Sequence, residues 1–331
     1  YKGRLEIDLA ERQREALGAA LTKKAVVITG GPGTGKTTLI RGIVEILGHK
    51  EQKVVLAAPT GRAAKRLAEA TGLGAKTIHR LLEFNPITGA FNKSREQPIE
   101  ADCVVIDEVS MLDVELAAML LEAVPPATRI VLVGDADQLP SVGPGNVLAD
   151  LIASESIPVI RLQEIFRQTD RSLIVENAHR INSGDMPKVD DDPESSDFFF
   201  VARDDPAAAA ELAIDFATRR IPGRFGLDPI HDIQVLSPMH RGELGVTRLN
   251  ERLQAALTPT GRELVVGWRR FRVGDKVMQI RNNYELDIFN GDLGRITDID
   301  FEERELTVSF DGLATRIPSD AVEDIVPAYA C

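Results

Sequence analysis

Through the first ~160 residues, short apolar runs alternate with longer stretches whose apolar positions recur at helical spacing, which predicts a parallel sheet covered by helices. Four runs read as strands. Ala25–Thr29 (AVVIT) precedes a glycine-rich turn and a helix that lines up Leu39, Ile40, Ile43, Ile46 and Leu47. Lys53–Ala57 precedes a helix over Gly61–Ala70, Cys103–Ile106 runs into Asp107–Glu108, and Arg129–Val133 runs into Gly134–Asp135. Every run closes on polar residues, and open α/β sheets place their ligands at such strand ends.

The pattern breaks between Leu82 and Ala101, where Asn85–Pro86 and Thr88–Gly89 mark turns and predict a small hairpin over residues 83–101 inserted in the first lobe. Residues 190–197 (DDDPESSD) form an acidic loop or linker. A second α/β segment follows, with a helix near Ala207–Arg219 and a strand near Ile233–Leu236. From Trp268 to Phe310, short alternating runs (KVMQI, RITDI, LTVSF) are separated by Asn290–Gly291, Phe301–Arg304 and Asp311–Gly312. Closely spaced strands with such turns predict a small β-barrel inserted in the second lobe.

Composition adds bounds to this picture. The 331 residues exceed what one core usually carries, so two are expected. With 44% hydrophobic and 27% charged residues the chain reads as globular, and no apolar stretch approaches the ~18 residues of a membrane helix. A soluble, cytoplasmic protein without membrane contact is the expectation. Cys103 and Cys331 are the only cysteines, too few for a disulfide framework or a cysteine zinc site. The net charge of −12 argues against nucleic acid until it is resolved along the chain. Residues 1–100 hold 17 Lys and Arg against 10 Asp and Glu, a net +7, whereas residues 101–331 hold 22 against 41, a net −19.

Gly30-Gly31-Pro32-Gly33-Thr34-Gly35-Lys36-Thr37 matches the phosphate-loop pattern, with a strand before it and a helix after it. Its glycines let backbone N–H groups wrap phosphates, and the helix N-terminus adds a favourable dipole. Gly31 through Thr38 are therefore assigned to ATP, with Lys36 on the β and γ phosphates and the Thr37 hydroxyl on Mg²⁺. Asp107 and Glu108 supply the carboxylates hydrolysis needs: Asp107 holds Mg²⁺ through water and Glu108 accepts the proton of the attacking water. Gln138, in the turn after the next strand, senses the γ phosphate or orients water. Gln13 has two readings, a polar helix-face residue or a contact to adenine.

These residues stand in ordered blocks: Gln13 in LAERQREAL, GGPGTGKTT, APTGRAAKRL, TIHRLL, VVIDEVSM, LVGDADQLPSVGPG, LQEIFRQ, QVLSPMHRGELGVTRLNERLQ and GDKVMQIRNNYELDIFNGDLG. Together they resemble the RecD-like branch of superfamily 1 helicases, which takes in stand-alone helicases and the α subunit of exodeoxyribonuclease V. The resemblance implies a P-loop NTPase of two RecA-like parallel-sheet lobes with a hairpin insertion and an SH3-like barrel. The first lobe would span 1–160, the first part of the second lobe 161–265, the barrel 266–318, and a return to the second lobe 319–331. It implies ATP-dependent movement on single-stranded DNA, 5′ to 3′, in recombination or repair.

By resemblance, Gln13 would recognise adenine, Gln138 would link nucleotide state to DNA grip, and Arg167 would reach the γ phosphate as an arginine finger. Without that context Arg167 reads as a surface ion pair. Pro59, Thr60, Arg62, Thr77, His79 and Arg80 are candidate DNA contacts in a stretch, Val54 to Arg95, with seven Lys and Arg against two acidic residues. Ser237, His240 and Asn250 match a DNA-facing block of the second lobe. In isolation His79 would be a structural histidine. The 83–101 hairpin corresponds to a pin that meets the duplex fork, or is a plain surface loop, and the barrel is a platform for DNA or a partner.

The family continues past Tyr329 into a Thr-x-His-Lys-x-Gln-Gly block and a second arginine-bearing block. The resemblance therefore implies a fragment with an incomplete second lobe that binds nucleotide and is weakly active alone. Implied partners are single-stranded DNA, the duplex fork, and recombination nuclease subunits or a single-strand-binding protein. Two competing classes remain: another phosphate-loop ATPase, such as an AAA+ machine or packaging motor, and a non-catalytic nucleotide-binding subunit of a nuclease complex.

Overall fold

The computed structural model describes residues 9–85, 88–162, 172–190 and 196–331. The chain divides into two compact units, Tyr1–Phe199 and Phe200–Cys331.

In the first unit the strands are β1 (Ala25–Gly30), β2 (Val54–Ala58), β3 (Ala75–Thr77), β6 (Cys103–Ile106), β7 (Arg129–Gly134) and β8 (Val159–Leu162), and β4 (Phe84–Asn85) pairs with β5 (Ala90–Phe91) as a separate antiparallel hairpin. The six longer-range strands form one parallel sheet in the order β3-β2-β6-β7-β1-β8. Alternate residues feed two cores, as the period of a strand requires. Val26 and Ile28 pack with α1 (Glu11–Thr22), α2 (Lys36–His49) and α3 (Gly61–Thr71) on one face. Val27, Val104 and Ile106 pack with α4 (Ile78–Leu81), α5 (Val114–Ala123) and α6 (Val147–Ser154) on the other.

The central strands match the sequence pattern to within a residue, but the pattern misses both edge strands. β3 is Ala-Lys-Thr and β8 is Val-Ile-Arg-Leu. An edge strand is buried less completely and tolerates a charged residue, so neither shows the continuous apolar run of a central parallel strand. The first compact unit runs to Phe199, with β8 paired to β1 and the following helix α7 (Leu173–Asn182) bonded back to the sheet loops through Asn182 and Asp137.

The second unit opens with α8 (Pro206–Asp215), which passes through a π-turn at Phe216–Arg220 into α9 (Ile221–Phe225), and then α10 (Val246–Leu257). The strand expected over Ile233–Leu236 is reduced to one parallel bridge, Val235 to Ala330, flanked by Ser237 N–H donating to the Cys331 carbonyl at 2.8 Å. Pro238 follows with no N–H to continue the ladder.

The barrel region pairs β9 (Leu264–Val266) with β10 (Arg269–Phe271), and builds a five-stranded antiparallel sheet in the order β14-β13-β12-β11-β15. Its strands are β11 (Lys276–Gln279), β12 (Leu293–Asp300), β13 (Glu305–Phe310), β14 (Leu313–Ile317) and β15 (Ile325–Pro327). Phe271, Val277, Leu306, Val308 and Ile325 are fully buried between them. The last segment serves both parts, since β15 pairs with β11 while Ala330 bridges to Val235.

Asp275 binds these parts together. It is fully buried, and its carboxylate accepts from the hydroxyls of Thr258 (2.6 Å) and Tyr329 (2.8 Å), the Gln254 amide (2.6 Å) and the Arg272 N–H (2.7 Å). Burial and the neighbouring Asp275 charge raise the Tyr329 phenol above its ordinary range, so it stays a donor. Asp275→Ala strands these buried donors, and a loss of about 3 kcal/mol is expected in urea denaturation followed through the single Trp268. A loss below about 1 kcal/mol would show that the carboxylate is not what joins α10 to the barrel.

Candidate nucleotide and nucleic-acid site

The loop after β1 turns on Gly33 (φ +79°) and Gly35 (φ +81°), left-handed positions where a side chain would be strained. Gly35 caps α2, so the first N–H groups of that helix, at Lys36, Thr37 and Thr38, have no intrahelical acceptors and face the loop. Gly31, Pro32 and Thr34 complete the turn. The Thr34 hydroxyl donates to the Gly31 carbonyl (2.8 Å), and Lys36 Nζ donates to the carbonyls of Gly30 (2.6 Å) and Gly31 (3.0 Å). The ammonium is thus parked on weak neutral acceptors that a phosphate oxygen outcompetes. Gln13 is buried, donates its amide to the Thr34 carbonyl (3.0 Å) and accepts from Ala10 N–H (3.1 Å). It pins α1 to the phosphate loop rather than facing solvent.

At the end of β6, Asp107 is half-buried and accepts from the Glu108 N–H (2.9 Å). Burial pushes its carboxyl up to about 6; the Glu108 charge adds to this, while the Glu108 N–H and the Lys36 ammonium pull it down. Glu108 itself adopts left-handed backbone (φ +54°), and its Oε2, like the Ser110 hydroxyl, is buried with no partner. Strain and an orphaned carboxylate oxygen at one strand end fit a site that awaits a cation and a water. The donor set suits Mg²⁺, a hard ion held by one or two protein oxygens plus phosphate and water. Thr37 and Asp107 are the residues here that could supply such oxygens.

The turn after β7 is held to β1 by the Thr29 hydroxyl, which accepts from Ala136 N–H (3.1 Å). Gln138 donates to the buried Asp135 carboxylate (3.3 Å), which leaves its carbonyl oxygen turned out of that pair. Arg167 lies outside the described residues.

The nucleic-acid candidates fall into two groups. Ala58 of β2 is in register with Thr77 of β3, so Pro59, Thr60 and Arg62 emerge beside Thr77, His79 and Arg80. Thr60 caps α3 by accepting from Ala63 N–H, and Thr77 caps α4 by accepting from Arg80 N–H, both at 3.2 Å. A capping hydroxyl keeps its own hydrogen for another acceptor. The exposed His79 ring packs on Phe84 (5.6 Å, edge-on) and Phe91 (5.8 Å), which docks the β4–β5 hairpin on α4.

Of the three candidates in the second unit, Ser237, His240 and Asn250, only His240 is exposed. The Ser237 hydroxyl donates to the Leu244 carbonyl (2.6 Å). Asn250 is buried and exchanges two amide hydrogen bonds with the Ala330 backbone (2.8 and 2.9 Å), which ties α10 to the last segment of the chain. A polar residue on a mostly apolar helix face here answers an open strand edge. Sequence reasoning also missed Thr29 and, on α7, His179 and Asn182, whose three-residue spacing was the available signal.

Two family models match, an AAA domain over residues 13–144 and the ATP-dependent RecD-like DNA helicase SH3 domain over residues 249–310. The chain is 36% identical to the ATP-dependent RecD2 DNA helicase of Deinococcus radiodurans over 97% of its own length and 42% of that protein. It is 35% identical to the RecBCD enzyme subunit RecD of Mycolicibacterium smegmatis, over 86% of this chain and 56% of that one. By sequence, this chain is RecD-like.

It spans about half the length of the curated relatives it matches. Structures of Pif1 helicases share the fold. One, of Pif1 helicases at forked double-stranded DNA, aligns with a TM-score of 0.60 at 19% identity over 98% of this chain and 82% of that chain. Another, from Candida albicans, aligns at 0.59 and 20% identity over 98% and 85%. The fold is therefore the P-loop arrangement the sequence implied, with its parallel sheet and RecD-like SH3 insertion. No helix among the described residues is long and apolar enough to cross a membrane.

The raised Asp107 value carries a stability cost in the metal-free RecD-like chain. The folded state holds this proton more tightly than the unfolded chain, so the associated stability is full below pH 4 and is lost as pH rises through 6. Asp107→Asn should raise the stability of chelator-treated protein by about 2 kcal/mol at pH 8 and by nothing near pH 4. Denaturation midpoints at the two pH values check this, and an equal gain at both would refute the assignment to charge burial.

Proposed function

We propose that the chain is the ATP-hydrolysing, strand-tracking part of a DNA helicase that moves 5′ to 3′ on single-stranded DNA in recombination or repair. The observation that carries this reading is the joining of a phosphate loop, an Asp107–Glu108 strand end where Glu108 is strained and has an oxygen without a partner among the described residues, and a threonine-capped basic edge on one parallel sheet. An AAA+ machine or packaging motor would share the first two, but neither explains the RecD-like SH3 region.

Gln13, bonded to the loop, orients the loop and stands where adenine would be recognised. Lys36 exchanges its two carbonyl partners for phosphate oxygens, and the orphan N–H groups at the start of α2 bind the same phosphates. A bound Mg²⁺, held by Thr37 and Asp107, supplies charge neutralisation on the phosphates. Glu108, with one oxygen unbonded, takes the proton of the attacking water. Gln138 sits in the turn between nucleotide and strand-tracking loops and carries nucleotide state to the DNA edge. Arg167 is the proposed arginine finger. Thr60, Arg62, Thr77 and Arg80 hold phosphates without reading sequence, and the 83–101 hairpin, docked on His79, meets the duplex fork.

A second reading, as the nucleotide-binding subunit of a recombination nuclease, is favoured by the likeness to a RecBCD RecD subunit; nuclease subunits or a single-strand-binding protein would then be partners. Strand displacement by the full-length protein on 5′-tailed and 3′-tailed duplexes separates these. Unwinding from 5′ tails only is expected, abolished in Lys36→Ala, and Glu108→Gln should slow hydrolysis by about 10²–10⁴ while nucleotide still binds. Unwinding from 3′ tails overturns the direction, and unwinding by Lys36→Ala overturns the site.

A further inference from the structure

We propose that α7 forms a wall of the nucleotide site and that His179 donates a hydrogen bond to the phosphate chain of the bound nucleotide, with Asn182 as the positioning residue. The proposal rests on the nucleotide-binding reading above and adds residues that no phosphate-loop pattern contains.

A cleft of about 520 Å³ runs between the phosphate loop and α7. Gly30, Gly31 and Pro32 line one side. The other side is made by Ile174, Val175, Ala178, His179 and Asn182, spaced as a single helical face. At 1.5 Å per residue this face is about 12 Å long, enough to lie along an extended polyphosphate. Gln138, from the turn after β7, lines the same cleft.

The orientation of α7 is fixed by contacts away from the cleft. Asn177, on its other side, is 1% exposed and exchanges two amide hydrogen bonds with Lys188, at 2.7 and 2.8 Å. Ser172 caps the helix and donates to Asp197 at 2.6 Å. At the opposite end, Asn182 donates to Asp137 at 3.1 Å and sets the last turn of the helix beside Gln138. His179 stands one turn earlier on the same face, exposed, and its imidazole has no hydrogen-bond partner among the described residues.

Electrostatics require a donor at this place. The carbonyl end of α7 is turned toward the 134–138 turn, and a helix C-terminus is unfavourable to an anion. A phosphate entering from the loop side therefore meets negative charge, to which Asp135 and Asp137 on the same lining add, and the side chains there that offer N–H against it include Arg161 and, on α7, His179 and Asn182. Imidazole carries at least one such donor in either protonation state. Ile174 and Val175, further up the face, are apolar and exclude water from the same wall.

The test is titration of this chain with a fluorescent ATP analogue in the presence of Mg²⁺. His179→Ala should raise Kd about three- to tenfold, the effect of one hydrogen bond, with an unchanged melting temperature because the side chain is exposed. His179→Gln, which keeps an N–H donor, should recover to within about twofold. Asn182→Ala should weaken binding in the same direction, and this loss should shrink when His179 is already alanine, since one acts through the other.

Unchanged affinity in folded His179→Ala overturns the proposal while the nucleotide site stands. No recovery in His179→Gln assigns the loss to packing and also overturns it. An equal loss for adenosine and for ATP places the contact on the nucleoside and refutes the phosphate assignment. Failure of the wild-type chain to bind nucleotide, or retained binding in Lys36→Ala, overturns the underlying reading instead.

Discussion

Parallel hydrogen bonding makes every strand of the six-stranded sheet deliver its carboxyl end to one edge. The registers Ala58 to Thr77, Ala57 to Ile106, Ile106 to Leu132 and Thr29 to Gly134 align those ends closely. Five loops of different chemistry therefore emerge side by side. The glycine loop follows β1, the carboxylates follow β6, the Gln138 turn follows β7, and the two threonine caps follow β2 and β3. Because β7 stands between β1 and β6, its turn touches the space between phosphate loop and carboxylates. Position in the sheet, rather than any single side chain, puts Gln138 between the phosphate loop and the carboxylates.

The same edge concentrates the cost of function. Most buried residues of the first unit are apolar and lie in two tightly packed layers, yet at the end of β6 a carboxyl is held far above its ordinary range, the next residue is left-handed, and two polar atoms lack partners. Such features persist only where the surroundings over-determine them. Asp107 continues the ladder by donating its N–H to the Ala57 carbonyl, which anchors the strained Glu108 beside the buried end of β2. In the second unit Asp275 is fully buried and fully bonded, so it and Glu108 show opposite uses of a carboxylate. One is satisfied and joins elements, while the other has an oxygen left without a partner among the described residues.

How much of this could be read from the residues depended on burial. Central strands had nothing but apolar residues to show, and their ends, including the phosphate loop and Asp107–Glu108, were legible because a motif and a strand boundary coincided. β3 and β8 were not, since an edge strand three or four residues long with a Lys or Arg looks like loop. The segment at residues 233–236 carried the right alternation but finds only one neighbour, Ala330, and no residue pattern encodes how many neighbours a strand will have. The bonds of Asn250 to the backbone were hidden for a related reason. A short polar side chain inside an amphipathic helix reads as a surface group, whereas here it answers the backbone of Ala330. Nothing in a phosphate-loop pattern points to α7, because its place over the loop is set by Asn177, Ser172 and Asn182, contacts between segments far apart in sequence.

The charge asymmetry gains a physical meaning from this arrangement. An acidic chain repels polyphosphates at long range, with a Debye length near 8 Å at physiological salt. The proposed strand-tracking edge lies in the basic first hundred residues, and on that reading its grip would rest on short-range donors: capping hydroxyls, helix N–H groups and the cations Arg62 and Arg80. Hydrogen bonds of this kind decay within a single atomic layer, unlike a broad field of lysines. A backbone phosphate can therefore be exchanged for the next without first escaping a deep electrostatic well, which is the condition a stepping motor has to meet. The hairpin packed on His79 sits directly behind those donors, so any force on it is borne by the same short helix that presents them.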